Sequence, residues 1–172
     1  MKIALGGKMG SGKDTFYDYI KDKYNFKQVS FAEPLYQIMY YAQDICGFQK
    51  VKDRKFLQFL GTEWGRSINN NCWIDIVHNK TKNSTTINWC LTDLRFENEF
   101  NYLKNNNWIL IKIQRDNIDK LRKGTGTTTH LSEIGLDNIS NDEWNFIINN
   151  NSSLEEYYFN IENIMSNIIS SS

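Results

Sequence analysis

The chain has 172 residues, and its 20 Lys and Arg balance 20 Asp and Glu to a formal net charge of zero. That length suits one domain, residues 1–172, with a real hydrophobic core, and the charge balance argues against a polybasic surface for nucleic acid or an anionic membrane. No apolar run approaches the roughly 20 residues of a membrane-spanning helix, "MKIALGG" is far too short for a secretory leader, and Cys46, Cys72 and Cys90 form no CxxC pair, so a reducing cytoplasm is expected.

"KIALGG" reads as a short buried strand ending in glycines. Behind it, Gly7, Gly12 and Lys13 fit the spacing G-x-x-x-x-G-K. From Thr15 onward, Phe16, Tyr19, Ile20 and Tyr24 recur at helical spacing. A strand before and a helix after are the setting in which this motif binds phosphate. The chemistry explains the composition. Backbone N–H groups must curl around phosphate oxygens, which requires residues without Cβ bulk. The helix aims its positive dipole end at the anion, and Lys13 adds a mobile point charge. Gly7, Lys8, Gly10, Ser11, Gly12, Lys13, Asp14 and Thr15 are therefore the candidate nucleotide-binding residues. The bland alternative is a glycine-rich strand-to-helix turn with a solvated lysine.

"KQVSFA" is a second short strand, and Glu33-Pro34 suits a helix start that Leu35, Ile38, Met39 and Ala42 continue. Leu57, Leu60, Trp64 and Ile68 mark another helical stripe, read as core, with Gly61 as an interruption. "TTINWCLTD" is a third strand, containing Cys90 as a small core residue. Phe96, Phe100 and Leu103 follow at helical spacing. "WILIKI" and "EWNFIIN" are the fourth and fifth strands. Leu154, Tyr157, Tyr158, Ile161, Met165 and Ile168 define the last helix, capped by Ser152 with Glu155 or Ser153 with Glu156. Strands alternating with helices predict an α/β fold: five mostly parallel strands with helices on both faces. The polar segment 115–142, between the fourth and fifth strands, is too long for a simple connection and is expected to be a lid.

Asp93 closes the third strand at the sheet's carboxyl edge, where ligands bind in open α/β sheets. It can hold Mg²⁺ or cap the following helix, and the two roles are compatible. Arg95, on the same edge, can grip a phosphate bidentately or pair with Glu97 or Glu99 on the surface. Glu99 can orient Arg95 or touch a nucleoside. Arg115, Lys120, Arg122 and Lys123 can supply cations to a closing lid, or form an ordinary solvated basic helix.

"GGKMGSGKDT", "FAEPL", "LQFLGTEWGR", "LTDLRFENE", "HLSE" and "NNNSSLEE" occur in that order. Together they resemble the deoxynucleoside monophosphate kinases of viruses and phages, over nearly the whole chain. The resemblance implies a three-layer P-loop kinase that moves the γ-phosphoryl group of ATP to a deoxynucleoside monophosphate. Several small kinases of this kind end the loop Gly-Lys-x-Thr, so Asp14 is a minor departure and Thr15 joins Asp93 as a magnesium residue. Arg66, closing "GTEWGR", becomes a clamp on the acceptor beside Arg95. Lys13, Arg66, Asp93, Arg95 and Arg115 are then the catalytic set, with Arg122 on the nucleotide. His130, Ser132 and Glu133 read as structural or nucleotide-orienting. Trp73 is either near the acceptor or an ordinary core residue. The expected partners are ATP and the acceptor nucleotide, with neither nucleic acid nor membrane, and a homodimer is left open. Location would be cytoplasmic, a host's cytoplasm for a viral protein. Phosphomevalonate or dephospho-CoA kinase chemistry, or a non-enzymatic nucleotide switch, are the rivals.

Overall fold

In the computed structural model, residues 1–84, 86–116 and 135–171 are described. Five strands form one sheet: β1 (Lys2–Gly6), β2 (Phe26–Val29), β3 (Asn88–Leu94), β4 (Ile109–Gln114) and β5 (Phe146–Asn149), in the order β2-β3-β1-β4-β5. The β1–β3, β1–β4 and β4–β5 pairs are all parallel. Parallel strands need crossovers, and helices supply them: α1 (Lys13–Lys23) lies between β1 and β2 and α6 (Glu97–Asn105) between β3 and β4, while α7 (Leu154–Ser170) follows β5, the last strand. The expected strands all form, but β2 stops at Val29 rather than Ala32. There the Ala32 amide turns back to Ser30 Oγ at 3.1 Å.

The chain divides into two compact units: Met1–Gln28 with Thr86–Ser172, and Val29–Thr85. In the first, strand alternation sorts side chains by face. Ile3, Leu5, Cys90, Ile111, Ile113 and Ile148 point to one side. Phe16 and Ile20 of α1 and Tyr157, Ile161, Ile164, Met165 and Ile168 of α7 meet them there. Burial pushes the Cys90 thiol far above its ordinary range, as befits a core residue. Ser153 is the cap of α7, its hydroxyl accepting the Glu156 amide at 3.3 Å, so the second of the two capping pairs is the one used.

On the opposite face, the Trp144 ring lies against Gly6, and Phe100 of α6 packs edge-on to it with centroids 4.8 Å apart. A Cβ at Gly6 would sit 2.2 Å from that indole. Trp144 is buried and packed on Phe100, so shifting its ring would disturb that packing. Gly6→Ala is therefore expected to destabilise the protein by about 1–3 kcal/mol through overpacking. A urea midpoint equal to wild type would refute it.

α1 and α7 are also joined by a polar lock. Glu162 takes bonds from Lys23 Nζ at 2.5 Å, Tyr19 Oη at 2.7 Å and the Tyr24 hydroxyl. Lys23 first, then the two phenols, hold its carboxyl down to about 2 from an ordinary value of 4.5. The folded value lies below the unfolded one. The stabilisation is thus complete above the ordinary value and is lost as pH falls toward 2. Wild type should be more stable than Glu162→Gln at neutral pH, and the gap should close on acidification. Thermal melts across that range decide it, and a gap that does not shrink would contradict the assignment.

The second unit holds α2 (Glu33–Ile45), α3 (Arg54–Gln58), a π-helical stretch (Phe59–Gly65), α4 (Arg66–Ile68) and α5 (Cys72–Thr81). Pro34 occupies the first turn of α2 as expected. Asp53 caps α3 by accepting the Phe56 amide at 3.0 Å. The single helical stripe expected here does not form. The wider i→i+5 turns break the 3.6-residue spacing: Leu60 is 7% exposed, but Trp64 and Ile68 are 46% and 72% exposed. Trp73 is a core residue whose Nε1 donates to Gly61 O at 2.9 Å. Gly65 admits its ring, since a Cβ there would lie 2.4 Å from Trp73.

Candidate active site

The loop between β1 and α1 has the backbone that its glycines allow. Gly7, Gly10 and Gly12 have φ of 144°, 83° and 112°, a region that L side chains rarely adopt. Lys13 is 8% exposed, and its ammonium is folded over the loop. It donates to Gly7 O at 2.6 Å and Lys8 O at 2.9 Å. Ser11 N also donates to Lys8 O, at 3.1 Å, closing the turn. The result is a curled backbone at the N-terminus of an 11-residue helix, with one cation at its mouth. Backbone amides, helix dipole and ammonium together suit a phosphate chain.

Parallel register brings further residues to this edge. Gly6, the last residue of β1, pairs with Leu94 of β3 and Lys112 of β4. Between Ala4–Leu91 and Gly6–Leu94, β3 has one residue more than β1. That bulge falls at Thr92-Asp93 and re-aims the side chains next to the loop. Thr92 Oγ1 accepts Gln28 Nε2 at 2.8 Å beside it. Asp93 and Arg95, both half-buried, thus stand at the strand end nearest the glycine loop. The cap of α6 is Phe96, three residues beyond Asp93. Glu99, 1% exposed, takes the amides of Arg95 at 2.9 Å and Phe96 at 3.0 Å on one oxygen. Phe96 has no side-chain acceptor, so only the returning half of a capping box exists. Glu99 thereby holds the backbone that carries Arg95.

Arg115 follows β4 on the same edge, and its Nη1 approaches Gly10 O at 3.4 Å, a long contact. Asp14 is exposed and Thr15 half-buried on the first turn of α1. Arg66 opens α4 in the second unit, where its Nη1 donates to Asn70 O at 3.2 Å. Lys120, Arg122, Lys123, His130, Ser132 and Glu133, and most of the expected lid, lie outside the described residues.

Sequence reasoning missed the groups behind the loop. Asn150 Nδ2 donates to Ser11 O at 2.8 Å, and Tyr157 Oη donates to Gly12 O at 3.0 Å. Asn151 brackets Asp116: its Oδ1 accepts the Asp116 amide at 2.7 Å, and its Nδ2 donates to Asp116 Oδ2 at 2.9 Å. The asparagine run of "NNNSSLEE" was the visible signal, but nothing local says where those amides point.

Fold and phosphate loop together define the P-loop kinase fold. The dephospho-CoA kinase of Campylobacter jejuni has a similar structure, with a TM-score of 0.59, 17% identity and 98% of each chain covered. So does the shikimate kinase of Bacteroides thetaiotaomicron, with a TM-score of 0.58, 13% identity and 98% of each chain covered. Residues 49–161 match the deoxynucleotide monophosphate kinase family, and the chain belongs to that family. It is also 28% identical to a protein of Acanthamoeba polyphaga mimivirus named "Putative deoxynucleotide monophosphate kinase", with 96% of each covered. The chain is accordingly an ATP-dependent phosphotransferase. Among the described residues, no helix is long and apolar enough to cross a membrane.

Proposed function

We propose that this chain transfers the γ-phosphoryl group of ATP to a deoxynucleoside monophosphate, releasing ADP and a deoxynucleoside diphosphate. The family match across residues 49–161 carries the reading, and the curled loop with Lys13 at its mouth supports it. In this reaction there is little covalent chemistry for the protein to perform, and the work is positioning and charge neutralisation. Loop amides and Lys13 hold the β- and γ-phosphates, and the ammonium exchanges two backbone carbonyls for phosphate oxygens. Arg95 and Arg66 hold the acceptor phosphate. Arg115 and Arg122 offset charge on the donor as the site closes and excludes water.

Magnesium belongs to the same reading. It prefers a few hard oxygens plus phosphate and water over an all-protein cage. Thr15 and Asp93 offer such oxygens, and among the described residues no three His, Cys, Asp or Glu side chains gather into a metal-holding group. Bound there, Mg²⁺ would neutralise phosphate charge. All of this fits one kinase domain working on cytoplasmic nucleotides, in a host cell for a viral protein.

The test is ADP release with a panel of acceptors: the deoxynucleoside monophosphates, their ribose counterparts, dephospho-CoA, phosphomevalonate and no acceptor. Acceptor-dependent release with at least one deoxynucleoside monophosphate, well above the others, is expected. Preference for dephospho-CoA or phosphomevalonate would replace the reading. Binding of ATP with no acceptor turnover would indicate a switch.

A further inference from the structure

The phosphate loop is curled by its glycines, but glycine only permits a conformation; something must select it. The groups that do so come from the far end of the chain. Asn150 follows β5, and its amide nitrogen donates to Ser11 O at 2.8 Å. Tyr157, on the first turns of α7 and 2% exposed, donates its hydroxyl to Gly12 O at 3.0 Å. A Cβ at Gly12 would fall 2.5 Å from Asn150 Nδ2 and 3.2 Å from Tyr157 Oη. The glycine therefore serves two ends: it adopts a φ of 112°, and it leaves room for both donors.

A trans peptide is planar, with its C=O and the next N–H pointing in opposite directions. Holding Ser11 O from behind therefore aims the Gly12 amide forward. Holding Gly12 O aims the Lys13 amide the same way. The Gly12 carbonyl already accepts Phe16 N at 2.9 Å as part of α1, so Tyr157 reinforces a direction that the helix sets. Asn150 is itself fixed, because its backbone N–H donates to Gln114 O at 2.8 Å at the end of β4. Burial pushes the Tyr157 phenol well above its ordinary range, so it stays a donor at any working pH.

We propose that Asn150, supported by Tyr157, is a positioning residue for phosphoryl transfer: it orients the Ser11–Gly12 and Gly12–Lys13 peptides so that their amides meet the ATP phosphates. The assignment rests on the proposed kinase reaction, but it is a claim about the donor nucleotide alone.

The experiment measures Mg·ATP binding at equilibrium, without acceptor, together with KM for ATP, KM for the acceptor and kcat. The proteins are wild type, Asn150→Ala, Asn150→Ser and Tyr157→Phe, each assayed well below its own melting temperature. Tyr157→Phe keeps the ring that fills the core and loses one oxygen, so it retains the fold if an Asn150 variant does not. The expected result is about tenfold weaker ATP binding for the Asn150 variants, a smaller loss for Tyr157→Phe, and an acceptor KM within about twofold of wild type. A role confined to stability would lower the melting temperature and leave ATP binding by the folded variant unchanged, which overturns the proposal. So does an equal loss toward ATP and acceptor. If wild type binds ATP but phosphorylates none of the deoxynucleoside monophosphates, the proposed reaction fails while the ATP-binding comparison still decides the role of Asn150.

Discussion

Lys13→Ala is expected to lose at least about a hundredfold in turnover, roughly 3 kcal/mol of transition-state stabilisation. The ammonium lies at the mouth of the loop, 2.6 Å from Gly7 O and 2.9 Å from Lys8 O. As charge spreads over the transferred phosphoryl group, a cation fixed there is worth more than one free in water. The fold should survive. The loop glycines keep their backbone, and the hydrophobic cluster of the first unit does not include Lys13. Steady-state kinetics and a thermal melt on the same preparation make the comparison. A folded Lys13→Ala with near-wild-type turnover would remove the phosphate loop from the mechanism.

Arg95→Ala and Arg66→Ala are expected to act on the other substrate. Each should raise the acceptor KM, or lower turnover, by about tenfold to a hundredfold, the range of a lost charge-assisted contact of about 1.5–3 kcal/mol. ATP binding should change little. Arg95 stands where β3 ends, its backbone held by Glu99, and Arg66 begins α4 directly after Gly65. Titrating ATP and acceptor separately distinguishes the two pockets. A selective loss of ATP affinity would mean that these guanidiniums serve the donor. Lysine at either position should restore charge but not bidentate geometry, and so recover only part of the loss.

The alternation of strands and helices was legible because buried parallel strands must be apolar runs and their crossovers must be amphipathic. "WILIKI" meets the first demand locally, and Phe100 and Leu103 of α6, between β3 and β4, meet the second. The glycine loop was legible for a similar reason, since its conformation restricts composition. Several features were not. Thr92-Asp93 gives no local hint of a bulge, because the extra residue exists only relative to β1. Glu99 gives no local hint that its oxygen takes the Arg95 and Phe96 amides. Asn150 and Tyr157 act on residues 139 and 145 positions away, a relation no window of sequence contains. Trp64 was read as core from its spacing to Leu57 and Leu60, and that spacing presumed an α-helix.

The π-helical stretch Phe59–Gly65 also bears on how relatives of this chain should be aligned. A π turn holds one residue more than an α turn, and each residue of an α-helix advances about 100° around the axis. Deleting one residue here would let the segment relax to α geometry. The π turn absorbs that extra residue, so the residues downstream would keep the faces they show here. A homologue one residue shorter between Leu57 and Arg66 would then present its arginine on the same face, with the gap lying inside the π stretch. Placing the gap within Phe59–Gly65, and not after it, is therefore what keeps the arginine proposed for the acceptor matched with its counterpart in a relative of that length.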